Sequence, residues 1–490
     1  MTDPRTVGAG TAGAPQAAPA FVAEAAGPGP GEHLPFRVVA GWGAGEWGGS
    51  LVWSMFYVFF LFFLTDVVKM GASAAGTLLM VASLWMAVVT PAVGVYSDTR
   101  RWRHGRRRPF LLLFTVPYAV LGWLLFSDFG LTTSAAFFYF LVVSCLYALA
   151  FALVQVPYTA LAAEITPDYN ERTRLLSYRT AVSELAAMAG TVLPLLLVSW
   201  LEPSLGSREL AWSVMAGILA VTCILPQLAA WRATRGYERR HERSSSGLRE
   251  IWRSARGNRS LLYALAAFTA FYAAVSVQSA VAVYFMTYRL HFSERADSLV
   301  FLLGLAVTIA AIAPVSKVAQ RFGKPRTLGV CMLAYAGLAC AFLVCGPDDA
   351  WLFLVVLGLA GIPTAGGVML TWAMIPDCTE IDEFKTGERR EGLYYGLVTL
   401  AQQALVALLL WLVGSALSLS GYVADAAQTP AAMWTIRLLM SVGTAVCALV
   451  AAWAAFRQPM TPEKHAALTA AVEARRRGEA AGAEGFADLL

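Results

Sequence analysis

The chain has 490 residues, of which 58% are hydrophobic and 14% charged, and its formal net charge is +5. Soluble domains carry about 25% charged residues, so this composition excludes a water-soluble globular protein and points to a bilayer as the solvent. The seven cysteines include no CxxC pair and no His/Cys cluster, and six of them lie in apolar stretches, so they read as small buried apolar residues.

Residues 1–40 are taken as an N-terminal tail, rich in Ala, Gly and Pro over its first 34 positions and lacking the basic start and apolar run of a secretory signal. Twelve stretches then have the roughly 20 mostly apolar residues that a membrane crossing needs. They are 44–65, 72–97, 109–127, 134–160, 174–200, 210–231, 259–286, 296–318, 327–346, 351–375, 392–416 and 431–456. The fold class this predicts is an all-α membrane protein. Residues 41–231 form one six-helix bundle, 232–258 a basic central loop, 259–456 a second bundle, and 457–490 a C-terminal tail or short solvated helix.

Basic residues set the orientation. One side of the membrane carries Lys69, Arg208, Arg289, Arg295 and Arg437, and the other 32 of the 37 fall toward the side of the termini. That side is therefore expected to be cytoplasmic, in a plasma or inner membrane. The loop after the second span, "SDTRRWRHGRRRPF", holds six arginines and Asp98. It is too short for a nucleic-acid-binding module. Attraction to lipid headgroups is its plainest reading.

An internal repeat adds to this. "PAVGVYSDTRRWRHGRRRPF" joins spans two and three, and "PVSKVAQRFGKPRTL" joins spans eight and nine. "AEITPDYNERTRLLSYR" follows span four, and "MIPDCTEIDEFKTGERREGLYYG" follows span ten. Equivalent loops thus recur six spans apart, the pattern of a two-halved transporter.

Gly94, Asp98, Arg103, Gly105 and Arg106 form a loop that resembles the major facilitator superfamily. With "VPYTALAAEITPDYNERTRL" and "DCTEIDEFKTGERREGLYYG", the chain more specifically resembles the glycoside–pentoside–hexuronide:cation symporters over roughly residues 40–456. The resemblance implies a cytoplasmic gate, closed when Asp377, Glu380 and Glu383 pair with bases such as Arg172, Arg174 and Arg389, with Asp98 and Arg103 in the brace. It also implies a sugar site, from which this chain departs. The family's paired cation-site acids match Met86 and Thr90, and its galactoside-binding acids match Ser50 and Gln155. Its span-four aromatic platform matches Thr159, and its span-eleven lysine matches Gln403. Only the base at Arg179 is retained.

Ionisable groups inside spans are functional candidates by default. Glu184 lies near the middle of span five, five residues from Arg179, and Glu46 lies one turn into span one. Both are candidate proton carriers. Asp66 reads as interfacial. Ser50, Trp53, Gln155, Tyr158, Thr159, Arg179, Gln278 and Gln403 are the candidate solute contacts, since amides and hydroxyls suit polyol-like molecules. Interhelical hydrogen bonding explains each of the uncharged ones equally well. The expectation is a monomeric transporter of a small sugar-like solute, coupled to protons rather than sodium, without cofactor, metal or nucleic acid. The alternative is a carrier of an amphipathic, lysolipid-like solute, favoured by the aromatic-rich span one, or an uncoupled facilitator. A membrane enzyme would need a nucleophile–base pair or metal ligands, and the five histidines all lie in tails or loops.

Overall fold

The computed structural model of the chain describes residues 33–99, 107–166, 169–237, 257–292, 294–386, 391–424, 426–476, 479, 482 and 485–489. Regular structure among them is entirely helical. The helices are α1 (Phe36–Val67), α2 (Ala72–Thr99), α3 (Arg108–Leu124), α4 (Thr133–Ile165), α5 (Tyr169–Leu205) and α6 (Arg208–Ala233). There follow α7 (Arg259–Arg289), α8 (Glu294–Phe322), α9 (Lys324–Ala341), α10 (Ala350–Thr386), α11 (Glu391–Leu419), α12 (Pro430–Arg457) and α13 (Pro462–Arg476). Ten of these are long and apolar enough to cross a membrane. Helices α3 and α9, with 17 and 18 residues, are the shorter members of the first twelve.

The packing of the first six helices recurs in the next six. Helix α1 packs on α5 and α6, α2 on α4, and α3 on α4 and α6. Correspondingly, α7 packs on α11 and α12, α8 on α10, and α9 on α10 and α12. The two sets meet through α2 against α11, α5 against α8, and α1 against α7. These contacts also exchange under the same six-helix shift, so the duplication seen in the loops is a duplication of the fold.

The described helices overrun the expected spans at the end that carries both termini. Helix α1 starts at Phe36, inside the stretch read as a tail, because Leu34, Val38, Val39 and Trp42 bury against α4, α5 and α6. Helix α10 continues through Pro376 to Thr386. There Ile381 and Phe384 pack with Leu468 and Val472 of α13 and with Phe486 and Leu489. The C-terminal segment is therefore docked rather than solvated: Leu468 and Val472 stand one turn apart on its buried face. Arg475 stacks on Phe384 at 3.7 Å.

The arginine-rich loop lies mostly outside the described residues, which resume at Arg107. Arg107 donates to the Ala160 carbonyl at 2.6 Å and pairs with Glu164 at 3.1 Å. Arg108 donates twice to the Trp231 carbonyl, at 2.8 and 3.2 Å, with its guanidinium over the Trp231 ring. These two arginines fasten the start of α3 to α4 and α6.

Candidate solute site and gates

Within the first six helices, polar side chains converge on Glu46. It is buried, and its Oε2 accepts from Arg179 Nε at 2.7 Å and from Gln155 Nε2 at 2.9 Å. The Ser50 hydroxyl lies 3.5 Å from Oε1 and 2.7 Å from the Ser183 hydroxyl. Helical spacing aligns the groups: Glu46 and Ser50 are one turn apart on α1, as are Arg179 and Ser183 on α5. Glycines permit the closeness. A Cβ on Gly49 would lie 2.9 Å from the Gln155 side-chain oxygen, and one on Gly190 would lie 2.2 Å from the Leu51 carbonyl. A carboxylate buried in a bundle needs a partner, and Arg179 supplies it while keeping 30% of its side chain exposed.

The structure gathers four of the sequence-predicted residues here: Glu46, Ser50, Gln155 and Arg179. Ser183 was missed, although its spacing from Arg179 marked it. Tyr158 is fully buried, stacked on Trp42 and donating to the Trp42 carbonyl at 2.7 Å, so it holds α4 to α1 rather than facing the cluster. The Thr159 hydroxyl turns back to the Gln155 carbonyl of its own helix at 2.9 Å. Gln278 sits apart, in the core of the last six helices, as the acceptor for Tyr335. Gln403 is half-buried, and its side-chain oxygen has no hydrogen-bond partner.

Glu184 does not pair with Arg179, whose carboxylate partner is Glu46. Glu184 is exposed and lies within electrostatic reach of Tyr272 on α7. Trp53 packs on Tyr57 and Phe151 and lines a small cavity with Tyr57, Ser83, Met86, Ser144 and Tyr147, among others. No carboxylate lines that cavity. Among the described residues, no group of three or more His, Cys, Asp or Glu is placed to hold a metal ion.

Residues 41–462 match the family described as MFS/sugar transport protein. The chain belongs to that family. An uncharacterized symporter of Synechocystis sp. is 26% identical, covering 91% of this chain and 98% of that one. A glucuronide carrier protein homolog of Escherichia coli is also 26% identical, over 91% and 97%. In fold, the chain is similar to a bacterial homolog of the human lysosomal transporter Spinster, solved inward-facing and unoccupied. The TM-score is 0.63 at 14% identity, over 88% of this chain and 100% of that one. The protein is thus a multi-pass membrane transporter of the major facilitator fold.

The transporter's two halves touch at the end away from the termini. There Thr65 of α1 bonds Tyr284 of α7 at 2.7 Å. Gly76 of α2 faces Gly414 of α11 so closely that a Cβ on Gly414 would lie 2.5 Å from the Ala72 carbonyl. Asp66, read from the sequence as interfacial, is instead 1% exposed and enclosed by this contact. At the terminal end, Glu171 and Asp377 each have partners within their own half. Glu171 pairs with Arg174 and His33, the His33 bond chiefly holding its carboxyl below the usual range.

Asp377 accepts from Lys324 at 2.7 and 2.8 Å and lies 3.4 Å from His465. Glu380 accepts from Thr469 of α13 at 2.9 Å. Lys324 thus engages Asp377 and α13 engages Glu380, two of the expected gate acids. Arg103 and Arg389 lie outside the described residues, as do the side chains of Asp98 and Arg172, and Glu383 is half-buried on α10.

Proposed function

We propose that this transporter carries a sugar-like solute in symport with a proton, and that Glu46 is the coupling carboxylate. The observation that carries this reading is the Glu46–Arg179 pair, with Gln155 on the same carboxylate oxygen. Protonation of Glu46 would release Arg179 and Gln155, which then offer several donors and an acceptor to a solute's oxygens. Deprotonation would reclaim them. Solute and proton thus favour the same form of the cluster, which is what symport requires. Glu184, within electrostatic reach of Tyr272, is the competing candidate for the coupling role. The carrier homolog from Escherichia coli supports a sugar-derived solute, and the absence of acids at Met86 and Thr90 argues against a sodium site of the family's kind.

The alternative of an amphipathic solute needed the aromatics of α1 to line a path. Most of them pack: Phe60 and Phe63 meet Phe126 and Phe140, and Phe59 meets Trp212, which leaves Trp53, Phe56 and Tyr57 to line the small cavity.

The conformation fits an inward-facing state, with both termini and the surplus of basic loops in the cytoplasm and residues 41–231 and 259–456 as the two halves of twelve crossings. In the opposite state, Asp377 would give up Lys324, and Asp377, Glu380 and Glu383 would pair with Arg172, Arg174 and Arg389. Surface ion pairs worth about 0–1 kcal/mol each suit such an exchange.

The test uses purified protein in liposomes. Glu46→Gln should keep solute exchange and lose accumulation driven by a pH gradient, while Glu184→Gln should keep both. Loss of accumulation in the Glu184 variant alone would move the coupling site to α5.

A further inference from the structure

A second carboxylate bridges the two halves, far from the Glu46 cluster. Asp66 lies in the last turn of α1, a π-helical turn over Phe63–Val67. Such turns re-aim side chains that a regular helix would direct elsewhere. Both carboxylate oxygens accept from the Tyr422 hydroxyl at 2.7 Å. One also accepts from the Tyr288 hydroxyl, and the other from Thr65 at 2.6 Å. Thr65 is bonded in turn to Tyr284. Tyr284 and Tyr288 stand on α7, and Tyr422 follows α11. One acid of the first half thus gathers hydroxyls from two separate elements of the second. Arg208, at the start of α6, lies within electrostatic reach and over the Phe62 ring at 5.7 Å.

A buried carboxylate is costly unless its lone pairs are filled. Hydrogen bonds to a charged acceptor are about twice as strong as neutral ones. Here the filling groups come from the other half, so they leave when the halves part. The carboxylate then meets water, which solvates it well. Contact and separation are both tolerable for Asp66, whereas an intermediate gap that is neither bonded nor wet is not. That makes the cluster a two-position device.

We infer that Asp66, with Thr65, Tyr284, Tyr288 and Tyr422, is the lock that closes this transporter at the end away from its termini. Asp66 is a positioning residue: it sets the balance of the two conformations and touches no solute. The inference is independent of which solute or ion is carried.

Spin labels report it directly, placed in a cysteine-free background. One pair, at Leu131 and Asp348, spans the halves in the turns at the far end. The other, at Arg235 and Phe322, spans them at the terminal end. Asp66→Ala should lengthen the first distance and shorten the second, shifting the populations at least several-fold. Asp66→Asn, which keeps an acceptor, should fall between it and the parent. The double variant Tyr288→Phe/Tyr422→Phe keeps the ring packing, and should reproduce the Asp66→Ala shift even where that variant is poorly folded. General loosening would broaden both distances without the opposite movement. Distances unchanged in the tyrosine double variant, or broadened at both ends, would overturn the inference.

Discussion

Arg179 donates its Nε hydrogen to Glu46 across 2.7 Å, tying α5 to α1 inside the first half. Glu46 is buried, so removing Arg179 leaves its carboxylate with only the neutral partners Gln155 and Ser50. Breaking such a pair costs about 3–5 kcal/mol when both partners are fully buried. With 30% of the Arg179 side chain exposed, we expect Arg179→Ala to cost about 2 kcal/mol of stability against unfolding in detergent. Removing both partners should restore at least half of that loss. A double variant no more stable than the sum of the single losses would show that the two side chains act separately.

Helix approach in this half depends on Gly190. Its missing Cβ leaves room for the Leu51 carbonyl, which would otherwise lie 2.2 Å away. Gly190→Ala should lower the thermal midpoint, at a cost of about 1–3 kcal/mol typical of overpacking, and slow solute exchange with it. Gly337→Ala is the control: a Cβ there meets nothing within 4 Å, so its midpoint should hold or rise.

The docking of α13 should depend on pH through His465. Glu380, and then Asp377, raise its pKa above the ordinary 6.5, against burial and Lys324, which lower it. A raised folded value means that the stabilisation is complete below 6.5 and is lost as pH rises through the shifted value. Proteolytic cleavage within residues 462–476 should therefore be slower at about pH 6 than at about pH 8.5, and His465→Gln should remove the difference. Equal rates in the parent protein at the two pH values would refute the role of His465.

Apolar runs and basic loops carried the fold openly. The twelve stretches and the six-span repeat follow from patterns within a few tens of residues, and the structure repeats its packing accordingly. Candidate polar residues were also visible, because Glu46, Gln155 and Arg179 interrupt apolar runs. Their pairing was not visible, since it depends on which faces of α1, α4 and α5 meet, and that is set by glycines such as Gly49. Glu184 looked central by its depth, but depth does not tell which way a helix faces. Asp66 looked interfacial because it stands near a helix end. Its burial comes from Tyr288 and Tyr422, which lie 222 and 356 residues away. The amphipathic spacing of Leu468 and Val472 was present in the sequence, yet the surrounding charges masked it.

Proton-coupled sugar transport is tested most directly by solute accumulation in liposomes holding the parent protein, under an imposed pH gradient or an imposed sodium gradient. The probes are radiolabelled sugars and sugar acids. The account predicts accumulation of one such solute when the lumen is alkaline, its collapse on adding a protonophore, and no accumulation from sodium alone. Accumulation that follows the sodium gradient at equal pH, and is indifferent to the protonophore, would contradict it.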